Sequence, residues 1–346
     1  MTAPFVHDAP AQRVVYGAGS ADRIADEVAR LGLGRVLVVA TPGSGARLGT
    51  RVHEQLADRS AGLHAHAVMH VPRSVAREGL AAAHAAKADG LVAVGGGSSI
   101  GLAKAIALET GLPIIALPTT YAGSEATPIY GLTEDERKIT GRDWKVLPRT
   151  VVYDPDLTLG LPAAVSAASG MNGIAHCVEA LWVAERTPIS VAYAAEGLRR
   201  FAAALPRVVA DGQDRDARGA CLVASWLAGA ALTAGTALHH KLAHVLGGLG
   251  LPHAETHAII LPHVSRFNLD AAPEARARMA EAIGVADPAE ALARMLRAFP
   301  IPQRLRDIGF DGRRIDFVAD EIAHMNVALP RKAGADETRR LLREAF

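Results

Sequence analysis

Short aliphatic runs recur through the first half of the chain, at residues 14–16, 35–40, 65–70, 91–94, 114–117 and 150–153, separated by alanine-rich stretches whose apolar positions return at helical spacing. Each run is brief and largely apolar, which suits strands buried on both faces, and their alternation with helices predicts a parallel sheet covered by helices. Two of the intervening helices are expected at 20–31 and 74–88, with Ser20 and Ser74 as their caps. Beyond Asp154 the pattern changes: Pro155 and Pro162 punctuate the chain, and Ala/Leu/Arg segments at helical spacing then run to Phe346 without a convincing strand. Pro188, residues 211–216 and the prolines at 288, 300 and 302 are expected to separate successive helices. The reading is an α/β N-terminal domain, a Rossmann-like parallel sheet over residues 1–158, and an all-α C-terminal domain over 159–346.

Composition narrows the function classes. A chain of 346 residues, half of them hydrophobic, can bury two sizeable cores. With 37 basic and 36 acidic residues the net charge is +1, so no basic stripe points to nucleic acid and no acidic tail to a charged partner. No apolar stretch reaches about eighteen residues free of polar interruption, and Met1 to Val15 lacks a basic region followed by an apolar run; neither a membrane span nor a secretion signal is expected. Cys177 and Cys221 are too few for a disulfide framework and form no Cys-x-x-Cys pair, which fits a reducing cytoplasm.

Chemistry is concentrated in residues 239–263, where six of the fourteen histidines fall: His239, His240, His244, His253, His257 and His263. His240 and His244, like His253 and His257, are four apart and share a helix face. Neutral imidazoles so arranged can bind a divalent ion, and protonated ones can meet a developing oxyanion. The bland alternative is that each is a surface residue or a satisfied core histidine. His253-Ala-Glu-Thr-His257 is not a zincin motif, because its Glu stands two places after the first His instead of one.

A second feature is residues 91–99, an apolar run entering Gly95-Gly96-Gly97 and then a helix beginning near Ser98. Glycines let a phosphate approach the backbone, and a helix N-terminus offers free N–H groups at its positive dipole end. Gly17-Ala-Gly19 lacks the third glycine of a dinucleotide fingerprint and reads as a structural turn, whereas Gly43-Ser-Gly45 could line the adenosine end of a dinucleotide. After the run at 35–40 stand Thr41-Pro42 instead of an acidic residue for the ribose hydroxyls, so weak discrimination between NADH and NADPH is expected.

Gly95-Gly-Gly-Ser98, Pro118-Thr-Thr-Tyr-Ala-Gly-Ser-Glu125, Asp154-Pro, Gly170-Met-Asn-Gly-Ile-Ala-His176 and the His240/His244/His253 series follow the order found in iron-containing (group III) alcohol dehydrogenases. The chain resembles that superfamily over nearly its whole length, and within it the maleylacetate reductase group most, on residues 104–114, 120–134 and 250–257. The resemblance implies a dehydroquinate synthase-like architecture, a dinucleotide-binding domain and a helical domain with the active site in the cleft they form, and a homodimer. It implies that Gly95, Gly96, Gly97 and Ser98 bind the pyrophosphate of NADH or NADPH, that Thr119, Thr120 and Ser124 line the adenine and ribose path, and that Lys138 reaches the nicotinamide ribose. Metal-using relatives place an Asp and three histidines at the positions of Asn172, His176, His240 and His253. Here the Asp is missing, and a neutral amide is a poor substitute for an anionic oxygen ligand, so metal-free function is expected; a retained ion would sit on His176, His240 and His253.

The implied reaction adds hydride to an enone carrying a carboxylate at each end, and His244 is read as the principal acid, His240 and His253 as its electrostatic partners, and His176 and Asn172 as orienting groups. His257 and His263 are left to structural or supporting roles. Arg142 and Lys145 are candidates for the carboxylates of a small dicarboxylate substrate, against the alternative of a solvated loop. A metal-dependent alcohol or polyol dehydrogenase, a lyase using NAD transiently and a nucleotide sensor are the competing readings.

Overall fold

Parallel pairing organises the first half of the chain. The strands are β1 (Arg13–Tyr16), β2 (Val36–Ala40), β3 (Ser60–His64), β4 (Gly90–Gly95), β5 (Ile114–Pro118), β6 (Ile129–Glu134), β7 (Arg137–Arg142) and β8 (Thr150–Tyr153). Six of them form one sheet in the order β1-β8-β5-β4-β2-β3, every pair parallel. β2, β4, β5 and β8 are buried along their whole length. Side chains nevertheless alternate between two cores, as the strand period of two requires. Val36, Val38, Val92, Val94, Ile115 and Leu117 face α1 (Ile24–Arg30) and α2 (Ser44–Leu56) through Ile24, Val28, Val52 and Leu56. Leu37, Val39, Leu91, Ala93 and Ile114 face α3 (Arg73–Ala85) and α4 (Gly97–Thr110) through Ala83, Ile100, Leu102 and Ile106.

The helix after β2 thus lies on one face and the helix after β4, its neighbour, on the other. This is a topological switch point, where the loops leaving two adjacent strands part and open a crevice at their carboxyl ends. Gly95 ends β4 at that place.

The structure describes residues 4–9, 11–134, 137–325, 327 and 330–346. It comprises two compact units, Pro10–Leu161 and Pro162–Phe346, the second including residues 4–9. The central strands, the all-parallel sheet and the helical second half agree with the sequence reading. Three expectations need correction. The third strand is Ser60–His64, not 65–70: β3 shifts register against β2 at its start, ends opposite Val39, and the following residues leave the sheet with only Ala67 N–H still reaching the Ala40 carbonyl. Ser20 does not cap a helix; its hydroxyl donates to the Tyr153 carbonyl at 2.9 Å, within a 3₁₀ turn that precedes α1. Ser74 lies inside α3, whose cap position is Pro72 with no side-chain bond. The antiparallel pair β6–β7 was not anticipated, and the expected turn Gly17-Ala-Gly19 is tied down by Asp154, whose carboxylate accepts the Gly19 and Ala21 N–H groups.

The helical unit runs α5 (Ala163–Ala180), α6 (Pro188–Ala210), α7 (Arg215–Leu232), α8 (Leu238–Gly248), α9 (His253–Leu269), α10 (Pro273–Ile283), α11 (Pro288–Ala298), α12 (Ile315–His324) and α13 (Ala335–Ala345). Its starts are written locally: Thr187 and Ser190 form a capping box around Pro188, and Asp214 and Asp287 accept the N–H groups of Ala217 and Glu290. α5, α6 and α7 pack closely because small residues face large ones; a Cβ on Gly170 would lie 2.5 Å from Leu205, and one on Gly197 2.8 Å from the Cys177 sulfur. α8 and α9 are held by a core that includes Leu242, Leu246, Ile259, Ile260, Val264, Val318 and Leu342. Among the described residues, no helix is long and apolar enough to cross a membrane.

Candidate active site

α5 contributes Asn172, His176 and Glu179, spaced four and three residues apart and therefore on one helix face. α8 contributes His239, His240 and His244 near its N-terminus, and α9 opens with His253 and His257. Because α9 packs against both α5 and α8, these residues meet inside the helical unit. The His176 and His240 rings lie 5.0 Å apart between centroids and nearly parallel. His244 stands 6.1 Å from His240.

His257 is the centre of the cluster. Its ring is 4.5 Å from that of His253, 4.8 Å from His239, 4.9 Å from His240 and 6.3 Å from His176. Sequence reading left it in a structural or supporting role because it matches no ligand position, and it counted His239 in the cluster without giving it a role; the two share a 2.8 Å hydrogen bond. His263 lies elsewhere, 3.9 Å from Glu344.

Glu179 is the residue that sequence reading overlooked altogether. It is fully buried, accepts the backbone N–H groups of His239 and His240 at 2.8 and 3.3 Å, and bonds His240 Nδ1. Burial pushes its carboxyl up, but the charge and hydrogen bond of His240 outweigh that and hold it below the ordinary carboxylate value. The buried imidazoles move the other way. Burial first, and then the charge of His240, bring His239 down to about 3, and burial, followed by the charges of His253 and His239, holds His257 well below the usual histidine value. Such rings stay neutral. Asn172, His176 and His240 are nearly inaccessible, while His244 and His253 are partly exposed.

In the α/β unit, Gly95 has φ +130° and hands the chain to α4, which starts at Gly97 with no side-chain cap. Its first N–H groups are therefore available to an anion. A Cβ on Gly96 would come within 2.9 Å of Thr120, whereas one on Gly97 would meet nothing within 4 Å. Thr119 N–H donates to the Gly95 carbonyl, so Gly95, Gly96, Thr119 and Thr120 form one edge, with Gly97 and Ser98 open beside them. Gly43, the cap position of α2, leaves the adjacent strand β2.

Ser124 belongs to the same region through Lys104, which was also missed. Fully buried on α4, its ammonium donates to the carbonyls of Ser124, Thr127 and Ile129 at 2.6, 2.8 and 2.8 Å. Burial lowers its pKa to about 7, partly opposed by Glu125. Lys138 lies on β7 opposite Thr133, and burial lowers its pKa to about 8. Arg142 is exposed and sits 5.2 Å over the Trp144 ring, and Lys145 is exposed and 3.4 Å from Asp143.

The glycine turn lies at a switch point of the α/β unit and the imidazole cluster lies inside the helical unit. Residues 11–155 match the iron-containing alcohol dehydrogenase model, and residues 166–346 match the C-terminal model of the Fe-containing alcohol dehydrogenase family. The chain belongs to the iron-containing alcohol dehydrogenase family. It is 49% identical to maleylacetate reductase 2 of Cupriavidus pinatubonensis, covering 96% of this chain and 94% of the relative. It is 44% identical to maleylacetate reductase of Pseudomonas knackmussii, covering 99% and 97%. The crystal structure of maleylacetate reductase from Rhizobium sp. strain MTP-10005 superposes with a TM-score of 0.92 at 42% identity, covering 99% of this chain and 98% of that one.

The family's name implies iron, and the residues present do not fit a complete divalent site. Asn172 offers a neutral amide oxygen, buried without a hydrogen-bond partner, where an anionic ligand is expected, and no three His, Cys, Asp or Glu among the described residues are arranged to hold an ion. A nicotinamide dinucleotide does fit the α/β unit, since the open Gly97–Ser98 helix start supplies what a pyrophosphate needs.

Proposed function

We propose that this chain is a maleylacetate reductase, converting maleylacetate to 3-oxoadipate at the expense of NADH or NADPH in the breakdown of aromatic compounds. The observation that carries the chemistry is the packing of His176, His239, His240, His253 and His257 around one another, with a neutral Asn172 at the position where metal-using relatives place an Asp. In this reading Gly95, Gly96, Gly97 and Ser98 hold the pyrophosphate, Thr119, Thr120 and Ser124 line the adenine and ribose path, and Lys138 bonds the nicotinamide ribose. When bound, the cofactor supplies a hydride to the carbon–carbon double bond. Electron density then moves to the ketone oxygen as an enolate, and a cluster of imidazoles answers that charge as an oxyanion hole does.

His244 is the proposed acid, because it is the half-exposed member of the His240 pair and can exchange its proton with solvent. His240 and His253 are its electrostatic partners, and His176 and Asn172 orient them. Arg142 and Lys145 are the proposed partners of the substrate carboxylates. No metal takes part. The Thr41-Pro42 pair after β2 offers no acid to the ribose hydroxyls, which supports acceptance of both dinucleotides.

A homodimer is part of the proposal. β1 is an edge strand whose Val14 and Tyr16 are 42% and 53% exposed, a paired-strand surface awaiting a second copy. The deciding experiment follows nicotinamide absorbance with maleylacetate as substrate, before and after dialysis against a chelator. Maleylacetate-dependent oxidation that survives the chelator is expected. Absence of turnover would sink the reductase, and activity lost to the chelator and restored by Zn²⁺ or Fe²⁺ would sink the metal-free mechanism.

A further inference from the structure

Glu179 is buried at the end of α5 and reaches across to the first turn of α8, where it does two things at once. Its Oε1 and Oε2 accept the N–H groups of His239 and His240, which the cap residue Ala237 leaves without a side-chain partner. It also bonds the Nδ1 atom of His240. A carboxylate can only accept, so the bonded Nδ1 must carry the proton. In the neutral ring the lone pair then resides on Nε2, which is buried and has no hydrogen-bond partner. The faces and edges around that ring are other imidazoles, His176, His239, His244 and His257.

We propose that Glu179 is the positioning residue for His240, holding the ring in one orientation and in its Nδ1–H tautomer, with Nε2 left as the nitrogen without a protein partner. This rests on the reading that His240 meets the charge developing on the substrate. The alternative, that Glu179 only caps α8, needs an acceptor for backbone N–H groups and nothing more. The two roles separate chemically. Glutamine keeps an oxygen for the His239 N–H and gives up only the longer 3.3 Å bond to the His240 N–H when it turns its NH₂ donor toward His240 Nδ1, which would force the opposite tautomer.

The test is ¹⁵N NMR of histidine-labelled protein, with the His240 signals identified by their loss in His240→Asn, alongside kinetics of Glu179→Gln. Wild-type protein is expected to show a protonated Nδ1 and an unprotonated Nε2 in the neutral ring. In Glu179→Gln the pattern reverses, kcat for maleylacetate falls by roughly tenfold or more, and the KM for the dinucleotide and the unfolding midpoint stay near those of the wild type. An unprotonated Nδ1 in the wild type overturns the proposal even if the variant fails to fold. So does a variant that keeps Nδ1 protonated, or one whose kcat stays within about twofold of wild type. Full activity in His240→Asn would instead remove His240 from the reaction, and it would leave the tautomer measurement to decide what Glu179 does to the ring.

Discussion

His239 and His257 share a hydrogen bond of 2.8 Å between Nε2 and Nδ1, and neither ring is exposed to solvent. Two neutral imidazoles locked together in a helical core make stability depend on pH. His239 has a folded pKa of about 3 against an ordinary 6.5, chiefly through burial. Between those values the unfolded chain binds a proton that the folded chain refuses, so the stabilisation is complete above 6.5 and is lost as pH falls toward 3. The expected slope from this residue is about 1.4 kcal/mol per pH unit, and His257 adds to it in the same direction. Urea titrations at a series of pH values should show the slope reduced in His239→Asn. An identical pH dependence in that variant would contradict the assignment.

His244, like His253, is partly exposed, whereas His176, His239, His240 and His257 are buried. If it delivers the proton, His244→Asn should lower kcat for maleylacetate by roughly a hundredfold while dinucleotide affinity stays constant. Stopped-flow measurement with saturating cofactor would read this directly, and a kcat near the wild-type value would pass the role to another group.

Arg142, the last residue of β7, is exposed and stacks on Trp144. As a partner of a substrate carboxylate, Arg142→Ala should raise the KM for maleylacetate about tenfold or more and leave the cofactor KM nearly unchanged. An unchanged substrate KM would leave Arg142 as an exposed residue at the end of β7, a strand position and not the solvated loop weighed from the sequence.

Lys104 satisfies three buried carbonyls of the segment that carries Ser124. Lys104→Met removes the donor these carbonyls share, although the Ser124 carbonyl keeps the Thr127 N–H and hydroxyl, and a loss of about 3 kcal/mol in unfolding free energy is expected, with weaker dinucleotide binding by fluorescence titration. Undiminished binding would separate this tie from the cofactor path.

Much of this architecture was visible in the chain before its coordinates. β2, β4, β5 and β8 are apolar at every position because both faces are covered, and such runs have few other uses. β3 escaped because Ser60, Gly62 and His64 dilute its pattern and it lies at the sheet edge, where burial asks less of the side chains. The β6–β7 pair escaped for a similar reason, being half-buried and rich in Gly, Thr and charge. The histidine cluster was conspicuous as composition, but its centre was not. His257 took its place only once α9 packed against both α5 and α8. Glu179 and Lys104 gave no local signal beyond being charges in largely apolar helices, and their partners lie 61 and 20 to 25 residues away.

The three glycines after β4 are not equivalent. Gly95 needs its backbone angle and Gly96 is crowded by Thr120, so the folded chain itself forbids side chains there. Gly97 has free space where a Cβ would go and an ordinary helical start. In the proposed reading its bareness serves the dinucleotide and not the fold. Replacing it with alanine should leave the melting temperature unchanged or slightly higher while dinucleotide affinity drops, whereas the same change at Gly96 should damage both. A saturation library selected first for folding and then for turnover would tell the two demands apart, residue by residue, within a single turn.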